Sequence, residues 1–509
     1  MSDFMDEFNT LKKITVILIS AFWMVMMAWL ISSQIISQGR AAAYKPFLSK
    51  NTLISDQWLG IYFNNSPVGF VHTSIEPYMI EKGVSGYCIV NRTWMNFLLL
   101  RKRNKVWFNA QAIVDENYNL KNFKFDLNSG LHTINVQGQM LNKRLLEVSI
   151  ASQGSVSKKT IPLNDERGVL IANIISPFNS FGELKVGKRY KLSVFNPFSL
   201  ELESFQINVC AKEFIQHDQK QVQAYVLKSN YRGLEQTAWV NENGEILREE
   251  TGLGWVLIKG DADQVSSMYK NMEKTDLELA EMVSVASNII LPGNGLSSLS
   301  LKISGIDDGF ELKNQRQEAA VTTEGEKIIT INKEKIDLTK TLSIPVKENK
   351  ENSEFLSATD FIQSENEEIK SMALRIINKE KNSYLAAKKI NKWLFENISK
   401  VPVVSIPSAV DVLKTKEGDC NEHTVLFAAL GRSIGLPVKV NVGLAYTGGR
   451  FYYHAWVSVY TGEWVDMDPT FGQDIADVTR IKLIEGDIDK QLDIIRLLGR
   501  IKLEVIEYK

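Results

Sequence analysis

From residue 44 to about residue 262 the sequence keeps returning to one kind of segment, a short run of β-branched and aromatic residues ended by turn formers. Residues 58–63 are such a run, Asn64-Asn65-Ser66-Pro67 is a turn, and residues 68–75 follow as a hairpin partner. Runs at 106–113, 123–127, 133–139, 145–150, 190–194, 204–209 and 222–227 repeat the pattern. Asp115-Glu116-Asn117 and Asn241-Glu242-Asn243-Gly244 read as turns between them. Many strands at short spacing predict a large antiparallel sheet, curved or barrel-like. No catalytic motif is readable in it.

The pattern then changes. Residues 263–288 predict a helical connector, with Leu277, Leu279, Met282 and Val285 as its apolar positions. Residues 289–347 return to short strands, at 299–303 and 327–331, and predict a small β segment. The charged stretch 347–353 reads as a linker. Beyond it, Ile369, Met372, Ala373 and Ile376 mark one buried helix face, and Ala387, Ile390, Trp393, Leu394 and Ile398 mark another. Residues 355–509 are expected to form a separate C-terminal domain, ending in a strand, a helix over 488–498 and a last strand. The strands at 481–484 and 503–506 are expected to extend that domain's sheet.

The N-terminus differs from all of this. Residues 14–31 are almost wholly apolar, and a helix over them would be about 27 Å long, close to the thickness of a bilayer core. Lys12 and Lys13 flank its start. The positive-inside rule would put residues 1–13 in the cytoplasm and the bulk of the chain outside it. Ala41-Ala42-Ala43 would suit a cleaved signal peptide instead, but the apolar run is longer than a usual signal core. The sequence reading is therefore a single-pass, membrane-anchored, extracytoplasmic chain, periplasmic or cell-surface. The fold class expected is α+β: a transmembrane helix, a large antiparallel β-rich domain, a small β segment and a mixed C-terminal domain.

A net charge of −1 over 509 residues gives no reason to expect a nucleic-acid partner. The three cysteines, Cys88, Cys210 and Cys420, exclude a disulfide-held scaffold. Cys88 and Cys210 could be bridged or could be two unpaired core thiols.

Cys420 lies in Gly-Asp-Cys-Asn-Glu-His. Asp419 is a good helix N-cap and Glu422 completes a capping box, so Cys420 falls at the first helical position. The unpaired N–H groups there favour a thiolate, while Asp419 opposes it. His454 lies in a strand-like aromatic run, and residues 464–468 form its antiparallel partner. A two-residue loop would put Asp468 on the face opposite His454. A three-residue loop, Thr461 to Glu463 with Gly462 in the left-handed position, pairs Tyr460 with Trp464 and makes Asp468 the diagonal neighbour of His454. The three-residue loop is predicted. Asp466 shares that face and reads as secondary. Cys420 and His423, one helical turn apart, could suggest a metal site, but structural zinc draws on paired Cys/His motifs, so no metal or cofactor is expected.

Taken in order, Gly418-Asp419-Cys420 and its Ala-rich helix, Gly435-Leu436-Pro437, His454-Ala455-Trp456 and Asp468-Pro469-Thr470 resemble the transglutaminase-like superfamily of papain-like enzymes, over about residues 357–475. The resemblance implies Cys420 as nucleophile, His454 as general base and acid, and Asp468 as the residue that orients the imidazole. It implies a thiol enzyme acting on amide bonds of proteins or peptides through a thioester, with hydrolysis favoured over cross-linking. The alternative is a catalytically silent binding or scaffold module, whose β-rich domain would hold an envelope protein.

Overall fold

The computed structural model describes residues 38–39 and 55–509, apart from residues 164–169, 172–183, 273–277, 403–406 and several shorter internal stretches. The N-terminal segment 1–13, the apolar run 14–31 and the alanines at 41–43 lie outside the described residues. So do Leu277, Leu279 and Met282 of the connector.

Two antiparallel meanders make one large sheet. The first runs by successive hairpins from Ser55–Phe63 to Ser155–Pro162, and the second from Arg189–Asn196 to Trp255–Gly260. They join where Trp255–Gly260 pairs antiparallel with Ser55–Phe63. Alternation drives the packing: Leu234–Val240 buries every second residue fully, and its Leu234, Ala238 and Val240 face inward. The sheet curls on itself. Phe123 and Phe195 sit on strands far apart in the strand order, yet their rings lie 5.3 Å apart in a shared core. Cys88 and Cys210 are unbridged.

The expected α+β class needs correction. Strands hold 53% of the described residues and helices 16%, so the protein is mostly β. The strands are longer than the apolar runs that mark them: the run at 106–113 belongs to the strand Lys102–Asp115, and that at 204–209 to Glu201–His217. Hairpin pairing carries a strand on through polar residues that have no strand signal of their own. The transmembrane helix of the expected fold also finds no support. Among the described residues no helix is long and apolar enough to cross a membrane. The longest, Ser383–Asn397, has 15 residues and carries Lys388, Lys389 and Lys392. The helix begun at the connector is short, Ala262–Met272, and Val285 belongs to a two-residue strand that pairs with the strand of His454.

The C-terminal region packs Glu367–Ile377, Ser383–Asn397, Ala409–Thr415 and Cys420–Ser433 around one apolar cluster. Against them stands a sheet of Val438–Thr447, Arg450–Tyr460, Trp464–Met467 and Arg480–Glu485, with Val285–Ala286 on its edge. Val457 and Val459 meet the helices, while Leu444, Phe451 and Ile481 join the core of a neighbouring four-stranded sheet. That sheet consists of Gln317–Val321, Lys327–Asn332, Ser298–Ser304 and Lys502–Tyr508, in this order. The last strand therefore leaves the C-terminal domain's sheet, contrary to expectation, because Leu503 and Val505 find their apolar partners beside Leu301 and Ile303. Within the expected helix over 488–498, residues Leu492–Leu497 form a 3₁₀ helix.

Gly443 is the cross-strand partner of His454 and sits at a bulge against the Arg480 strand. A Cβ there would lie 1.9 Å from the carbonyl oxygen of Ile481 and 3.0 Å from the Trp456 ring. Gly443→Ala is expected to destabilise the protein by on the order of 2 kcal/mol or more through overpacking. Gly448 lies in an open turn with nothing near a Cβ, so Gly448→Ala meets only its left-handed backbone and costs less. Chemical denaturation of both variants checks the ranking.

Candidate active site

The Cys420 helix begins as its caps dictate. Asp419 accepts the backbone N–H of Asn421 at 3.0 Å, and Glu422 accepts the backbone N–H of Asp419 at 2.9 Å. Cys420 is the first helical residue and is partly exposed. The helix packs against the His454 strand, so that the backbone N–H of Ala455, the residue after His454, faces the Cys420 thiol and favours its ionised form. Burial and the nearby Asp419 carboxylate push the thiol well above its usual range, with Glu422 and Asp468 adding to this. The Ala455 N–H opposes them. His423, one turn on, is fully buried with Nδ1 2.7 Å from the carbonyl oxygen of Asp419, which fixes it to the helix start.

The hairpin has the predicted three-residue loop. Tyr460 pairs with Trp464, the Thr461 N–H reaches the Glu463 carbonyl at 2.9 Å, and Gly462 has φ of +118°. This register sets the face. His454, Trp456 and Ser458 alternate along one strand, opposite Asp466 and Asp468 on the other. His454 Nε2 lies 2.8 Å from Asp468 Oδ2. Trp456 donates to Asp466 at 2.9 Å, and Ser458 donates to the other oxygen of Asp466. The secondary role read for Asp466 is thus to hold the indole beside the imidazole.

Asp468 is wholly buried, and both its oxygens are occupied. Oδ1 accepts the N–H groups of Thr470 at 3.1 Å and Phe471 at 3.2 Å. Oδ2 accepts Arg480 Nε at 2.7 Å as well as His454. Burial works to raise this carboxyl, but His454 and Arg480 outweigh it and hold the group well below the usual carboxylate range. Phe471 places its ring edge-on to the imidazole at 5.3 Å.

Arg480, Asp477, Arg316 and Glu334 take part in this network, and the sequence reading missed all four. Arg480 stands at the start of the run read only as strand, and no local pattern marks which carboxylate an arginine will meet. Arg316 comes from the small β segment, far away in sequence. It is buried, 3.3 Å from Glu334 and 3.7 Å from Asp466. A polar cleft of about 190 Å³ behind the hairpin turn is lined by Arg316, Glu334, Lys340, Thr461 and Trp464, and the thiol is not among its walls.

The comparisons with known proteins bear on this region. Residues 370–469 match the model of the transglutaminase-like superfamily, and the chain carries a transglutaminase-like domain there. No curated protein matches the chain. Two solved structures are similar in part. One is a candidate cysteine protease from Cytophaga hutchinsonii, 16% identical, with 42% of this chain and 87% of that one covered at a TM-score of 0.30. The other is a β-barrel-like protein of a domain family of unknown function from Brucella abortus, 9% identical, with 40% and 96% covered at a TM-score of 0.27. At such scores the family match, not these structures, carries the assignment to a thiol-enzyme family.

The Glu334–Asp466 pair gives the site a pH signature. Burial and the neighbouring Asp466 raise Glu334 from 4.5 to about 8, against the pull of Arg316. The folded protein therefore keeps a proton that the unfolded chain releases above about 4.5. Stability is lost as pH rises through that window. Chemical denaturation at about pH 5 and about pH 8 is expected to show a smaller loss in Glu334→Gln than in the parent protein, because glutamine has no proton to release.

Proposed function

We propose that the C-terminal domain is a thiol enzyme that acts on amide bonds of proteins or peptides through a Cys420 thioester. The observation that carries this reading is the meeting of three elements. A helix start brings the Cys420 sulfur onto the Ala455 N–H, and the adjoining His454 is tied through Nε2 to a buried, ionised Asp468. With Nε2 bound, Nδ1 is the nitrogen left for proton exchange.

The chemistry follows from these positions. His454 takes the thiol proton as sulfur attacks the substrate carbonyl carbon. The carbon–sulfur bond forms and the carbonyl becomes an oxyanion, for which the backbone N–H of Cys420 is a suited donor, since the capping box takes those of Asp419, Asn421 and Glu422. The oxyanion collapses, the carbon–nitrogen bond breaks, and the imidazolium gives its proton to the departing amine. His454 then takes a proton from water as it attacks the thioester, and the thiol leaves protonated. Part of Cys420 stays in contact with solvent. The residue that carries the thioester is thus not closed off from solvent, and on that ground we favour hydrolysis over cross-linking.

Rapid quench of the full chain with an activated peptide ester, followed by intact and peptide mass measurement, tests this. The acyl group is expected on Cys420 and absent from Cys420→Ala. His454→Ala is expected to slow its formation by roughly 10²–10⁴-fold. Equal acylation of the parent and Cys420→Ala, on Cys88 or Cys210, would sink the reading.

A further inference from the structure

His454 and Arg480 share one oxygen of Asp468. Oδ2 lies 2.8 Å from His454 Nε2 and 2.7 Å from Arg480 Nε, and both side chains are buried. A carboxylate facing an imidazole alone gives its full charge to stabilising the imidazolium. Here a permanent cation sits at the same oxygen and takes much of that field.

Arg480 has no freedom to swing away. Its Nη1 donates to both oxygens of Asp477 at 3.2 Å and to Thr479 Oγ1 at 3.0 Å, and its guanidinium lies 4.7 Å from the centre of the Phe471 ring. Asp477 is fixed in turn from another sheet. Arg316 donates to the backbone carbonyls of Asp477 at 2.7 Å and Ala476 at 2.8 Å. The next residue, Gln317, exchanges two hydrogen bonds with the backbone of Lys482, both at 2.8 Å. Arg316, just before the four-stranded sheet, and Gln317, the first residue of its Gln317–Val321 strand, thus grip both sides of Arg480.

We propose that Arg480 is a positioning residue of the Cys420–His454–Asp468 site, that it withholds part of the Asp468 charge from the imidazole, and that Arg316 fixes its reach. The small sheet thereby sets how readily His454 holds a proton. The inference rests on the reading of Cys420 and His454 as an acyl-transfer pair. The charged and titratable groups around the imidazole include Asp468, Arg480 and its partner Asp477, Asp466 beyond Trp456, and Cys420, Asp419, Glu422 and the buried His423 on the helix.

The five histidines make a direct test practicable. In the full chain, with histidine rings isotopically labelled, the NMR signal of His454 is assigned by its loss in His454→Ala and followed against pH. Arg480→Gln, which removes a cation from the same carboxylate oxygen, is expected to move the imidazole-to-imidazolium change upward. Arg480→Lys keeps the charge and is expected to stay near the parent. Arg316→Gln is expected to shift it upward by less. The other four signals report whether each variant keeps its fold. An unmoved His454 transition in a folded Arg480→Gln overturns the inference, as does an equal shift in Arg480→Lys. The acylation experiment separates the two ideas. Acylation of Cys420 with an unmoved His454 removes only the role of Arg480, while a moved His454 without acylation keeps the charge coupling and removes the enzyme.

Discussion

A single buried carboxylate organises the C-terminal half of this protein. Asp468 accepts two backbone N–H groups, one imidazole and one guanidinium, all without contact with water. A charge so placed is tolerable only when each lone pair is met, and losing one partner leaves the others unbalanced. The hairpin register, the turn after Pro469 and the position of the Arg480 strand all answer to that need. The His454 ring is oriented as a consequence of the same demand.

The thiol is held under the opposite pressure. Asp468 is kept ionised by its cations, whereas burial of the sulfur and the nearby carboxylates push the Cys420 thiol up. The two effects push neighbouring groups of one site apart, and such a split separates a group that carries charge at rest from one that acquires it during attack. A helix start alone would have suggested a standing thiolate. The capping box that creates this helix start also supplies Asp419 and Glu422, so the feature that presents the sulfur also works against its ionisation.

Much of this was legible from residues near one another in the chain. The capping box at 419–422 is a local code, and the hairpin loop followed from parity: only a three-residue loop puts Asp468 on the face of His454. The strands of the large sheet were marked by their runs, though not their lengths, because pairing extends them into polar sequence such as Lys102–Asn104. What stayed hidden was set by distant partners. Arg316 has no local signal in the sequence, and only the packing of the small β segment brings it to Asp477. The α+β expectation failed for a related reason. It gave the helical C-terminal pattern equal weight with a β-rich region whose true extent depends on pairing.

The pairing of Lys502–Tyr508 with Ser298–Ser304 has a consequence for how the protein comes together. The chain leaves the four-stranded sheet, builds the whole transglutaminase-like domain, and returns to finish the sheet it left. Closing that long loop is entropically costly and slow until the intervening domain has shortened the distance between its ends. The grip of Arg316 and Gln317 on the Arg480 strand belongs to this same sheet. Arg316 and Gln317 precede the domain in the chain and Arg480 lies inside it, so the contacts that fix the guanidinium are made across the join between the small β segment and the domain.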